Sequence, residues 1–168
     1  SEEEGAIQIQ EGFEAMLSFV RLLFPERARD IVAREIVGSY CPGDYDLSID
    51  GKKFAGISQR RLRRGVAVQV YLAIEGSGAK RAAFMRDMYA QGIQGQQTKV
   101  DYPDIQPDVM ATLSELIEPN LTVQDVVFRT QQLAQTVSEQ PVQFELIEED
   151  EMPLYIQYLQ RMIKRNQR

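Results

Sequence analysis

The sequence predicts an α+β fold, on three observations. A helical apolar pattern opens the chain, strand-like runs joined by hairpin chemistry follow, and helical patterns fill most of what remains. Phe13, Met16, Leu17, Val20, Leu23 and Phe24 recur at helical spacing, so residues 11–24 read as an amphipathic helix stopped by Pro25. Ile31 to Val37 reads as a strand with Val32 and Ile36 on its less polar side. Residues 45–49 alternate, Asp50-Gly51 follows, and residues 52–58 continue. An Asp-Gly pair between alternating runs predicts a hairpin, because a type I′ turn needs positive φ at both positions. In that register Lys53 lies opposite Ser48; strict alternation puts Lys53, Ala55 and Ile57 on one face and Phe54 on the other.

Val66 to Ile74 is apolar almost throughout, which predicts a central strand covered on both faces. Gly76-Ser77-Gly78 ends it, and a helix over 80–89 follows with Ala83, Phe84 and Tyr89 inward. Residues 91–107 read as loop. Helices are expected over 108–117 and over 123–137, the second opened by Thr122 with Asp125 three residues on. Residues 143–147 suggest a short edge strand, and a last amphipathic helix carries Leu154, Tyr158, Leu159 and Met162. The result is a mixed, largely antiparallel sheet with packed helices and a mainly helical part from about residue 104 to 168.

Composition narrows the function. The 168 residues, 43% hydrophobic, suffice for one globular domain that buries about 70% of its unfolded surface. A net charge of −6 argues against nucleic acid as the partner, which calls for a basic face. No run approaches the length of a membrane span, and the acidic start shows no signal-peptide pattern. One cysteine excludes an internal disulfide and fits a reducing, cytoplasmic setting. With no histidine, neither a Ser-His-Asp nor a Cys-His pair can be completed, and a zinc site has too few ligands.

The lone cysteine is the leading candidate for chemistry. Gly38-Ser39-Tyr40-Cys41-Pro42-Gly43-Asp44-Tyr45 displays the thiol in a breaker-rich loop, where scaffolded functional groups concentrate. A thiolate attacks carbonyls well, and a nearby ammonium favours the charged form; Lys53 is the candidate ammonium. The ordinary alternatives are a small packed cysteine and a solvated strand lysine. Arg60, Arg61, Arg63 and Arg64 form a basic cluster on an acidic chain, either a solvated connection or a docking patch for an acidic protein. Gly76-Ser77-Gly78 lacks dinucleotide or P-loop spacing and reads as a turn.

The run from Gly38 to Ile49, followed by Gly51-Lys52-Lys53-Phe54-Ala55-Gly56-Ile57-Ser58-Gln59-Arg60-Arg61, resembles the biotin/lipoate protein ligase superfamily. Asp-Leu-Ser-Ile, Gly-Lys-Lys and Ala-Gly mark the superfamily. Ser-Tyr-Cys-Pro-Gly ahead and Ile-Ser-Gln-Arg-Arg behind bring it nearest to the octanoyl-(glycine cleavage H protein):protein N-octanoyltransferases, the amidotransferases of lipoate assembly. The resemblance implies that Cys41 is an acyl-thioester nucleophile and that Lys53 favours its thiolate and contacts the acyl carbonyl. Tyr40, Asp46, Ser48 and Gly56, in the same motif, are assigned to substrate binding, and Arg60, Arg61, Arg63 and Arg64 to partner docking. The implied donor is the octanoylated glycine cleavage H protein and the implied acceptors are lipoyl domains of 2-oxoacid dehydrogenases; no cofactor is required. The resemblance further implies that residues 1–168 are the later part of one catalytic domain, with an Arg- and Gly-rich part of the fold ahead of them. Three other readings are an octanoyltransferase fed by acyl carrier protein, an ATP-dependent lipoate ligase, and a non-enzymatic protein-binding module with a basic patch.

Overall fold

The computed structural model describes residues 7–62, 65–97, 99, 101–142 and 147–167. It divides into two compact units, Ser1–Leu133 and Ala134–Arg168. The first opens with α1 (Ile9–Leu23), closed by a 3₁₀ turn at Pro25–Arg27. Four strands follow: β1 (Val32–Ala33), β2 (Asp46–Ile49), β3 (Lys52–Leu62) and β4 (Gly65–Leu72). They form an antiparallel sheet in the order β1-β2-β3-β4, and the expected mixed character is reduced to one isolated parallel bridge, Lys53 to Met110. Helices α2 (Gly78–Ile93), α3 (Leu113–Leu116) and α4 (Val123–Val137) follow. The α+β class holds.

One sheet face carries the main core, in which Leu47, Ile49, Phe54 and Ala55 pack with Val20, Phe24, Leu113, Leu121 and Val126. The Asp50-Gly51 turn has positive φ at both residues, as the hairpin reading required, and Ser48 pairs with Lys53. Strict alternation fails one residue later. Leu47 pairs with Ala55 and Ser48 with Lys53, so Phe54 is an extra residue in β3, a bulge. The bulge puts Lys53 on the face of Asp46 and Gly56, opposite Ala55 and Ile57. That shift in parity brings the Lys53 ammonium to the Asp46 carboxylate.

Other expectations are corrected by tertiary contacts. Only Val32 and Ala33 of the 31–37 run pair in the sheet; beyond them the Arg34 amide donates to the Asp46 carbonyl and the Ile36 amide to the Asp46 carboxylate. β4 is an edge strand among the described residues, with Val66, Val68, Val70 and Leu72 half-buried and Ala67, Gln69 and Tyr71 exposed. Its exposed side carries Ala67 and Tyr71, which gave it the look of a strand covered on both faces. α2 is longer than expected and turns Phe84 outward, while Ala82 is buried. The 108–117 helix is broken because the Ala111 amide donates to the Lys53 carbonyl and the Leu113 amide to the Ala73 carbonyl, leaving a 3₁₀ turn at Pro107–Val109 and the short α3. Thr122 does cap α4, its hydroxyl accepting from the Asp125 amide while the Asp125 carboxylate accepts from both the amide and hydroxyl of Thr122.

Two glycines allow close approaches. A Cβ on Gly78 would lie 2.3 Å from the Ala111 backbone, so the start of α2 packs directly on the 110–113 segment. Gly38, at φ +84°, accepts at its carbonyl from the Gln106 amide at 2.8 Å, tying the end of the long loop to the cysteine segment. The second unit carries α5 (Met152–Asn166), with Leu154, Tyr158 and Met162 exposed. Residues 143–146 of the expected edge strand lie outside the described residues.

Candidate active site

The site grows from one buried ion pair. Lys53 Nζ and Asp46 Oδ1 are 2.8 Å apart, with the two residues 5% and 2% exposed. A charge so far from water must have its bonding capacity filled. Lys53 Nζ also donates to Cys41 O at 2.8 Å and to Ser39 Oγ and Tyr40 O at 3.3 Å. The second carboxylate oxygen, Asp46 Oδ2, accepts from the Gly43 amide at 3.3 Å and from the Ile36 amide and Ser39 Oγ at 3.4 Å. Residues 36–43 are thus wrapped around the pair, and their irregular path has its polar groups answered by two side chains.

At the crest of that wrap Cys41 is exposed, with φ of 52°. A left-handed conformation at a non-glycine residue is strained and persists only where the surroundings hold it. The Lys53 ammonium on the Cys41 carbonyl is that restraint. The thiol is therefore presented to solvent on a rigid loop, with a fixed positive charge beneath its own backbone.

Of the other predicted residues, Gly56 lies next to this centre, whereas Ser48 and Arg61 are engaged elsewhere. Gly56 lies against the pair: a Cβ there would sit 3.8 Å from Asp46 Oδ1 and 4.0 Å from Lys53 Cε, so the glycine leaves that side of the pair without a side chain over it. Ser48 is buried and its hydroxyl donates to Val32 O at 3.5 Å, which directs it to strand β1. Arg60 is exposed on β3, whereas Arg61 is occupied, its Nη1 donating to Ile7 O at 2.6 Å and its Nη2 to Gln59 Oε1 at 3.1 Å. Arg63 and Arg64 lie outside the described residues. No group of three or more potential metal ligands occurs among the described residues.

The two tyrosines flanking the cysteine diverge. Tyr45 stacks on Phe13 of α1 with centroids 4.4 Å apart. Tyr40 packs on the small core of Ala82, Ile105 and Met110. Burial pushes its phenol above the ordinary tyrosine value, nearby Tyr71 adds to this, and the Arg81 guanidinium pulls the other way. Sequence reasoning passed over Ser39 and Arg81. A serine among turn residues is an ordinary choice, and one arginine before a buried alanine in a helix carries no signal of its own.

The model of the lipoyl protein ligase A/B catalytic domain matches residues 1–135. The chain belongs to that family. It is 55% identical over 166 residues to an octanoyl-GcvH:protein N-octanoyltransferase of Lysinibacillus sphaericus, covering 99% of this chain and 59% of that protein. An enzyme of the same name from an Exiguobacterium species is 51% identical over 165 residues, 98% of this chain and 58% of the relative. Another from Geobacillus kaustophilus is 45% identical over 166 residues, 99% of this chain and 58% of the relative. The chain thus spans under two thirds of the length of these curated relatives. None of the helices among the described residues is long and apolar enough to cross a membrane.

Proposed function

We propose that the protein is a cytoplasmic protein N-octanoyltransferase. It moves an octanoyl group from a lysine of the glycine cleavage H protein to a lysine of lipoyl domains of 2-oxoacid dehydrogenases, through a thioester on Cys41. The observation that carries this reading is the exposed thiol held in a strained conformation by a buried ammonium, in a chain of this family whose relatives are named for this transfer. Catalytic groups are typically held this way, on a loop fixed by a rigid shell.

Cys41 sulfur attacks the amide carbonyl, the donor lysine leaves, and the acceptor lysine then takes the acyl group from sulfur. One amide replaces another, so no nucleotide is consumed. Lys53 fixes the loop and places positive charge beside the reacting centre, where negative charge develops on sulfur and on the carbonyl oxygen. Gly56 leaves room for the substrate above that charge. Asp46 holds that ammonium in place from the sheet, and Arg60 offers a cation to acidic carriers.

Intact-mass measurement of the full-length protein after incubation with octanoylated H protein tests the reading. An octanoyl adduct mapped to Cys41, lost in Cys41→Ala together with transfer to a lipoyl domain, is the expected result. Transfer that survives in Cys41→Ala contradicts it.

A further inference from the structure

Breaking an amide obliges some group to give the departing amine a proton. These 168 residues contain no histidine to do it. Lys53 is poorly placed: its ammonium already faces four oxygens, and giving up a proton would leave Asp46 as a buried carboxylate without its cation. Removing one charge from such a pair is strongly unfavourable. Asp46 is equally committed.

A second polar cluster, which the reaction so far leaves unused, lies beside the first. Arg81, in the first turn of α2, spends Nη1 on the Glu75 carbonyl at 2.9 Å. Its Nε and Nη2 are buried and have no hydrogen-bond partner among the described residues. Those two N–H groups form one edge of the guanidinium fork, the edge that receives an anionic oxygen in bidentate fashion. Buried donors of this kind are rarely left empty, and where they are, an unoccupied role is the first explanation to test. The Tyr40 phenol, which packs on Ala82 next to Arg81, lies close enough to the guanidinium that charge and side-chain hydrogen bonding both draw its pKa down, and the Cys41 thiol and Tyr71 phenol are within electrostatic reach of that phenol. Tyr71 is the cross-strand partner of Gly56, and Gly56 lies against the Lys53–Asp46 pair, so this cluster adjoins the first.

We propose that Tyr40 carries the proton for the transfer, and that Arg81 is the positioning residue whose free edge receives the phenolate. In the first half, the Cys41 thiolate forms a bond to the acyl carbon. The tetrahedral adduct then collapses by breaking its carbon–nitrogen bond, and the nitrogen takes the Tyr40 proton. The products are thioester, free donor amine and Tyr40 phenolate. In the second half the acceptor amine forms the new carbon–nitrogen bond, sulfur leaves as thiolate, and the nitrogen's surplus proton returns to Tyr40. One negative charge alternates between sulfur and the phenolic oxygen, and each location has a built-in cation, Lys53 by the first and Arg81 by the second.

This inference rests on the proposed thioester reading, and the test separates the two. Single-turnover acylation of Cys41 is followed by intact mass in the full-length enzyme with two donors, octanoylated H protein and a small octanoyl thioester. A thiolate leaves without a proton, so only the amide donor needs Tyr40. Tyr40→Phe is expected to slow acylation from the amide about 100-fold while leaving the thioester rate within about threefold, as loss of a general acid does. Arg81→Met is expected to show the same donor split with a smaller loss. Equal losses with both donors, or none with either, overturn the assignment by making Tyr40 structural or idle. If the unaltered enzyme forms no adduct from the amide donor, the function itself fails and the proton carrier with it.

Discussion

Lys53 and Arg81 are two cations beside the cysteine loop, and the protein treats them oppositely. Lys53 is sealed in, with Asp46, Ser39, Tyr40 and Cys41 all supplying oxygens to it. Arg81 has two buried donors that meet no acceptor at full hydrogen-bond geometry among the described residues. A saturated buried ion holds structure, because any change of its partners is costly. An unsaturated one costs stability at rest and recovers that cost only when an acceptor arrives. The difference teaches where to look for rigidity and where for chemistry: the loop is fixed by the first cation and the moving charge is met by the second.

Substitutions can break this contrast, and the largest effect is expected at the sealed pair. Asp46→Ala strands the Lys53 ammonium and should lower unfolding free energy by about 3–5 kcal/mol in urea denaturation, the usual cost of breaking a buried pair. A loss below about 1 kcal/mol in that titration would mean that the pair is solvated and the contrast wrong. Arg81→Met should move stability by less than about 1 kcal/mol, since one hydrogen bond is lost while two unanswered donors disappear. A large destabilisation by Arg81→Met would make that arginine a structural staple as well.

At the sealed pair itself, a loss between those expected for Asp46→Ala and Arg81→Met sharpens the same picture. Ser39→Ala removes a hydroxyl that bonds both Lys53 and Asp46 and leaves each with other partners, so a loss of about 1–2 kcal/mol is expected by thermal unfolding. The smallest expected effect lies away from the pair, at Glu115. Burial alone would raise its carboxyl, but the Gly78 and Thr112 amides, with the Ser77 and Thr112 side chains, outweigh it and hold it below its ordinary value. A depressed carboxylate stabilises the fold above its unfolded pKa, and that contribution is lost as pH falls through the lower folded value. Glu115→Gln should therefore narrow the stability difference from the native protein as pH drops into that acidic range, while a difference independent of pH would exclude the linkage.

The displayed cysteine loop and the strand position of Lys53 were legible because the chain states them locally. Pro42 and the flanking glycines force a displayed loop around Cys41, and Asp50-Gly51 forces the turn that puts Lys53 opposite Ser48. The α1 stripe and the Thr122 cap were readable for the same reason, since their determinants lie within four residues of one another.

What tertiary structure alone decided is how those pieces face each other. The Phe54 bulge depends on the β2–β3 register, so nothing in the local alternation announces that Lys53 changes sides. The 31–37 and 108–117 segments gave up their expected forms because their amides found better acceptors in Asp46, Lys53 and Ala73. Arg81 reaches the site because α2 packs onto Ala111 at Gly78 and brings a helix some forty residues on in the chain against the cysteine loop. Sequence fixes conformations through neighbours along the chain. Which buried charge is answered, and which is left waiting, is settled only when distant segments compete for the same hydrogen bonds.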